Sequence, residues 1–206
     1  MTVVIVAGMA YDDRHSQRVA AMEKDSRQKM IESAARLIRT RGVTAASFSE
    51  VLADSGAPRG SIYHHFPEGK DQLAAEAIRW TSARLVAHQR GYDGRTARGV
   101  AERFIGVWRK VVEESGGAAG CVVAGVGIDT LAGAPGLMEL VRATFRDWME
   151  LLAAQLRERG VGRARAAALA TMLVAGMEGA LILCRAEASV APLDRVAAEL
   201  LRLVDG

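Results

Sequence analysis

From Ser26 onward the chain carries a helical period. Met30, Ile31, Ala34, Leu37 and Ile38 recur at spacings of three and four and share one face, while Arg36, Arg39 and Arg41 occupy the other. Gly42 predicts the end of that helix. Ser47 and Glu50 then stand in the S-x-x-E relation of a capping box, in which each side chain satisfies an otherwise unpaired amide. Phe48, Val51 and Leu52 form the apolar side of this second helix, and Gly56 predicts its end. Pro58 predicts the start of a third, because its missing N–H has no helical partner in a first turn. The intervening turn is then about three residues long, which forces two short helices to cross steeply in a helix-turn-helix.

Helical spacing continues to the end of the chain, broken by glycine-rich punctuation. A long helix is predicted over about 70–90, carrying Leu73, Ala77, Trp80, Arg84 and Val86, and "GYDGRTARG" breaks it. A second covers about 100–114, with Phe104 and Trp108 four apart on one face. After the link "SGGAAG", the stretch "CVVAGVGIDTLAG" reads as a short buried helix, with a parallel-sheet strand as the alternative. Pro135 opens a long helix through Leu140, Val141, Phe145, Trp148, Leu152 and Leu156 that Gly160 ends. Further helices are predicted over about 163–186 and from Pro192, the last with Leu193, Val196, Ala197, Leu200 and Val204 along one side. The expected fold is all-α: a three-helix helix-turn-helix module over 25–70 and a larger helical domain over 71–206. No flexible linker separates them, so the helix beginning at Lys70 belongs mechanically to both.

Residues 1–24 show no sustained period. The opening "MTVVIVAGMA" is apolar but lacks a preceding basic segment and falls well short of the roughly 20 residues that span a bilayer. Met22 begins a more natural protein start, so 1–24 is expected to be a disordered or mis-assigned N-terminal extension.

With 206 residues, half of them hydrophobic, the chain can bury a substantial core. Abundant alanine, leucine, arginine and glutamate beside four prolines agree with helices. A net charge of +3 decides nothing about a polyanionic partner, and residues 1–70 hold ten Lys and Arg against eight Asp and Glu. Affinity for a polyanion must therefore rest on the placement of a few cations. Cys121 and Cys184 lie far apart in apolar stretches, which suits buried thiols in a reducing cytoplasm, with redox sensing left open. No HExxH, GxSxG or P-loop is present, and "GVGRAR" lacks a third glycine and a preceding strand, so catalysis is not expected. Neither a cofactor, a metal nor a membrane partner is expected. His64 and His65 are neighbours on a helix, diverge by about 100° and do not readily chelate one ion.

The third helix carries groups suited to DNA. Arg59 offers a bidentate fork for guanine or phosphate, Gly60 permits close backbone approach, and Ser61 is short and both donates and accepts. Tyr63 and His64 end in groups that bond phosphate oxygens, while Ile62 and Phe66 have the spacing to pin the helix from behind. Lys70 opens the next helix, where its ammonium and the first amides can meet a phosphate. Ser47, cap of the second helix, completes the candidate DNA-contact set. A scaffold protein has no need of such a cluster on one short element.

The run "SRQKMIESAARLIRTRGVTAASFSEVLADSGAPRGSIYHHFPEGKDQLAAEAI", residues 26–78, resembles the N-terminal DNA-binding domain of the TetR (tetracycline-repressor) family of bacterial transcriptional regulators. The resemblance implies phosphate contacts for Tyr63, His64 and Lys70 and a place at the groove for Arg59 and Ser61. "GGAAGCVVAGVGIDTLAG" followed by "FRDWMELLAAQLRERG" resembles, more loosely, a subgroup related to multidrug-efflux repressors and extends the likeness to nearly the whole chain.

A reading helix this short covers a handful of base pairs, so the expected partner is double-stranded operator DNA with an inverted repeat, bound by a homodimer. The helix over 168–186 has Ala175, Gly176, Gly179 and Ala180 where a partner helix can approach, and with Leu193, Val196, Leu200 and Leu203 these form the expected dimer interface. An internal core helix is the alternative. Trp80, Phe104, Trp108, Phe145, Trp148 and Met177 are the candidate lining of a cavity for a small apolar effector, with plain aromatic core as the competing reading. Asp129 and Glu178 interrupt apolar stretches and suit a cationic ligand, a helix cap or an arginine partner equally, and stay outside the set. The function expected is a ligand-responsive regulator, with repression favoured over activation. A dimerisation scaffold without ligand response and a helical enzyme are the alternatives.

Overall fold

The computed structural model describes residues 9–130 and 134–206, with side chains from residue 24 on. Nine helices and no strand occur among the described residues. The first, α1 (Met9–Arg41), starts well before Ser26: no glycine or proline interrupts those residues, and once a helix is nucleated each further residue adds a hydrogen bond. The expected disordered extension is thus helical from Met9, and residues 1–8 lie outside the described residues. Gly42 ends α1 at φ +84°, where its N–H returns to the Ile38 carbonyl at 2.9 Å.

Next come α2 (Phe48–Ser55), α3 (Ser61–His65) and α4 (Lys70–Arg90). The C-terminal part consists of α5 (Ala97–Ser115), α6 (Val122–Asp129), α7 (Pro135–Glu158), α8 (Arg163–Glu187) and α9 (Ala191–Asp205). Thr96 caps α5 by accepting the Gly99 N–H at 3.1 Å, and Cys121 Sγ takes the Ala124 N–H at the start of α6. The strand alternative for "CVVAGVGID" is thereby excluded.

Met30, Ala34 and Ile38 of α1 form a buried platform for Val51, Ile62, Phe66, Leu73, Ala77 and Ile78. Each such large aliphatic side chain contributes about 1.5–3 kcal/mol by leaving water. The second half of the core joins Phe104, Trp108, Trp148, Leu152, Leu156, Leu173 and Met177. Helix α4 is bonded to it through polar groups as well. Gln89 and Gln155 exchange bonds of 2.9 Å (Nε2 to Oε1) and 2.8 Å (Nε2 to the Gln89 carbonyl), and Trp148 Nε1 donates to Ser82 Oγ at 2.9 Å. Buried amides without these partners would each lose about 1–3 kcal/mol, so α4 is held rigidly on α7.

Candidate nucleic-acid interface

Helix α2 is fixed on α1 by polar groups at its rim. Ser33 Oγ donates to the Val51 carbonyl at 3.3 Å, Arg36 meets Asp54 at 2.6 Å, and Arg41 meets Glu50 at 3.2 Å. The Ser33 hydroxyl is the largest influence on the Asp54 carboxyl and lowers it; burial, next in size, raises it, and the Arg36 guanidinium adds to the lowering, so the carboxyl lies below its usual range. Half of the expected capping box forms: Ser47 Oγ accepts the Glu50 N–H at 3.3 Å. The reciprocal half is absent, because Glu50 turns to Arg41 and the Ser47 N–H goes to the Ala45 carbonyl at 2.9 Å. A guanidinium outcompetes a neutral amide for a carboxylate.

The turn after α2 spans residues 56–60, longer than expected. Pro58 does not open α3; its carbonyl accepts the Ser61 N–H at 3.0 Å and the Ser61 hydroxyl at 2.7 Å. Arg59 and Gly60 therefore lie in the turn, both exposed, and Ser61 is half-buried as the first residue of α3. Ile62 and Phe66 are fully buried, as their spacing required, while Tyr63 is 69% exposed and His64 is exposed beside it. The Phe48 ring meets Tyr63 edge-on at 5.5 Å, so α2 steadies the aromatic that α3 presents. Lys70, exposed at the start of α4, places Nζ 3.4 Å from the Thr44 carbonyl, beside the loop that enters α2. No side chain caps the first turn of α4. Ser47 is half-buried and engaged in its cap.

The six residues of the expected effector cavity divide into two groups. Phe104, Trp108, Trp148 and Met177 are buried, and the rings run in sequence: Phe104 to Trp108 at 6.1 Å, Trp108 to Trp148 at 6.0 Å, Trp148 to Phe145 at 5.5 Å. Trp80 is half-buried and stands apart, with the Arg84 guanidinium 5.0 Å above its ring. These rings pack as core, yet Trp108 Nε1 is buried with no hydrogen-bond partner.

The expected dimer residues divide similarly. Ala180, Leu193 and Leu200 are buried within the protomer, where α8 packs on α9. Gly176 serves the same packing, since a Cβ there would lie 3.0 Å from Leu200 Cδ1 and 3.4 Å from Val196 Cγ1, and Val196 is half-buried. Ala175, Gly179 and Leu203 are exposed. So are Met172, Ile182 and Leu183, which sequence reasoning missed; they share the α8 face of Ala175 and Gly179 at spacings of three and four.

A further set escaped sequence reasoning because it is assembled from distant segments. The end of α1 is clasped by three hydrogen bonds: Gly120 N–H to the Arg39 carbonyl, Arg185 Nη2 to the Thr40 carbonyl, and Val43 N–H to Asp129 Oδ2, each 2.7 Å. A cleft of about 350 Å³ opens beside this clasp between α1, α6 and α8, with Cys121 and Glu178 in its wall. Burial pushes the Glu178 carboxyl up to about 7, an effect that the neighbouring Cys121 thiol offsets in part. Burial, and then the nearby Glu178 charge, push the thiol well above its ordinary value. The signal for Glu178 was its place in an otherwise apolar run.

A short exposed helix set across a second one on a shared core, with hydrogen-bonding side chains outward and isoleucine and phenylalanine inward, defines a helix-turn-helix DNA-binding regulator. Residues 30–77 match the family model described as bacterial regulatory proteins, tetR family, and residues 97–199 match the C-terminal domain of LmrA/YxaF-like transcriptional regulators. The chain is 34% identical over 184 residues to the HTH-type transcriptional regulator Rv0196 of Mycobacterium tuberculosis, covering 86% of this chain and 93% of the relative. It is 28% identical over 173 residues to LmrA of Bacillus subtilis, covering 82% and 91%. The crystal structure of a TetR transcriptional regulator from Legionella pneumophila superposes with a TM-score of 0.78 at 20% identity, over 85% of this chain and 95% of that one. The chain belongs to the TetR family of transcriptional regulators, proteins that regulate genes and are not enzymes.

Proposed function

We propose that the chain acts in the cytoplasm as a homodimeric repressor that binds an inverted-repeat operator and is released by a small apolar effector. The observation that carries the DNA contacts is the division of α3: Ile62 and Phe66 locked in the core, Tyr63 and His64 outward, with Arg59 and Gly60 in the turn before them. In this reading Tyr63, His64 and Lys70 bond phosphates, together with the uncapped start of α4, and Arg59 and Ser61 face the groove. Ser47 acts indirectly by holding α2. Five helical residues span only about 8 Å, so a useful site needs two copies. Half-site centres then lie roughly 34–36 Å apart or at a multiple of that. The pairing surface is the exposed α8 face of Met172, Ala175, Gly179, Ile182 and Leu183 with Leu203 of α9, an unusually apolar face to leave in water.

The effector reading rests on the unpartnered Trp108 Nε1 inside the aromatic cluster, a donor that an apolar molecule with one acceptor would satisfy. Ser82, which accepts the Trp148 Nε1 proton, sits about 18 Å along α4 from Lys70, near enough for a rigid helix to carry a displacement from the cluster to the DNA module.

Gel shift on the DNA flanking the gene tests the reading. Tyr63→Phe and Lys70→Ala lower affinity for operator and random duplex alike, whereas Arg59→Ala changes base preference by about 1–3 kcal/mol. Equal losses on both duplexes would assign Arg59 to the backbone. Absence of any shift by the folded, ligand-free protein overturns the reading.

A further inference from the structure

We propose a second ligand site in the cleft where α1 meets α6 and α8, taking an apolar molecule that carries a protonated amine, with Glu178 as its anchor. The cleft is separate from the aromatic cluster. At about 350 Å³ it lies in the size range of small-molecule pockets. Gly120, Ala124, Gly125 and Gly179 keep its walls low, and Ile38, Leu181 and Ile182 make much of its lining apolar.

Its polar groups select the ligand. Of the charged groups facing the cleft, Arg41 is engaged by Glu50, Arg185 by the Thr40 carbonyl, and Asp129 by the Val43 N–H. Glu178 differs: its Oε1 is shut off from solvent with no hydrogen-bond partner, and no arginine acts on its carboxyl, which burial holds near 7. A buried carboxylate lacking a counter-ion binds a cationic donor more strongly than a neutral one. A metal ion is not the cation, because no group of three or more His, Cys, Asp or Glu side chains suited to a metal occurs among the described residues. In the same lining, Arg39 Nε is also buried without a partner, a second donor for an acceptor on the same ligand.

The clasp on the end of α1 shares this wall, through Arg39, Gly120, Asp129 and Arg185. A molecule seated on Glu178 presses on these bonds and so on the platform that carries α2 and α3. This consequence for operator affinity rests on the regulator reading; occupation of the cleft does not.

The test is calorimetry on the full chain with adamantylmethylamine and its neutral isostere adamantylmethanol. The amine is expected to bind at least about tenfold more tightly. Glu178→Gln removes that preference while keeping the alcohol's affinity, Ala124→Leu fills the cleft and abolishes both, and Trp108→Phe changes neither. Amine affinity rises from about pH 6 to about pH 8 in the wild type as Glu178 ionises, and not in Glu178→Gln. Failure of the amine to bind overturns the site, as when a second copy pairing through Gly179 and Ile182 covers the cleft. A preference that survives Glu178→Gln, or vanishes with Trp108→Phe, overturns it too. Calorimetry needs no DNA, so the two readings fail separately: amine binding without operator binding sinks the regulator reading alone, and the converse sinks the cleft.

Discussion

Replacing Glu178 by glutamine removes an ionisable group whose burial opposes folding at neutral pH. The carboxyl is held at about 7 in the folded chain against 4.5 ordinarily, first by loss of hydration and only partly offset by the Cys121 thiol. Between these values the unfolded chain has released the proton and the folded chain has kept it. The folded state therefore binds more protons, and stability falls as pH rises. A difference of about 2.5 units at about 1.36 kcal/mol each amounts to roughly 3 kcal/mol, lost between about pH 4.5 and pH 7 and not regained above. Glutamine keeps the shape and carries no proton to lose. Urea unfolding of both chains at one fixed protomer concentration, in steps from about pH 5 to about pH 8, is expected to show the wild type falling relative to Glu178→Gln by a large part of that amount. Parallel curves would refute the reasoning, for they would mean that water or a counter-ion reaches Glu178 in the folded protein.

Gly42→Ala places a side chain at φ +84° and drives its Cβ against the Asp129 carboxylate, so a loss of about 1–2 kcal/mol or more is expected by thermal melting, with weakened amide protection at the end of α1. Gly179→Arg is expected to yield monomers by light scattering, since Gly179 faces open space; Leu200→Ala is expected to cost about 2–5 kcal/mol in the fold itself, because Leu200 is buried under α8. Arg185→Ala removes one bond of the clasp and is expected to speed amide exchange of Gly42 and Val43 while leaving that of α7 unchanged; equal protection in both chains would show the clasp to be redundant.

What the sequence made legible was local. Gly42, Gly56, Pro135 and Pro192 mark helix ends through backbone geometry alone, and each falls where the fold uses it. The inward pair Ile62 and Phe66 followed from spacing. The errors arose where one hydrogen-bond partner displaced the expected one. Glu50 left its own helix's first amide for Arg41, and the Pro58 carbonyl gathered the Ser61 amide and hydroxyl into a turn instead of opening a helix. Helix α8 hid its sides for another reason: with alanine, leucine and glycine all round, no period separates the residues held by α7 and α9 from Met172, Ile182 and Leu183, left outside. The cleft was beyond reach altogether, since residues 39, 120, 129, 178 and 185 meet only through the tertiary fold.

The DNA module is held to the rest of the chain at two places, and that bears on how a ligand can act. One is α4, whose Leu73, Ala74, Ala77 and Ile78 are buried toward α1 and whose Ser82 and Gln89 are bonded to α7. The other is the clasp, where α6, α8 and the segment before α6 grip the end of α1 by three hydrogen bonds. A displacement that reached α4 alone would turn the module about the clasp; one that opened the clasp alone would turn it about α4. Because cores are close-packed and move between discrete arrangements, each hold limits what release of the other achieves. The aromatic cluster lies against α4 through the Trp148–Ser82 bond, and the cleft lies against the clasp. Two ligands, one at each place, would then act on the same three helices along different axes. Their effects on operator affinity would combine non-additively, since the clasp sets how far movement of α4 turns α3.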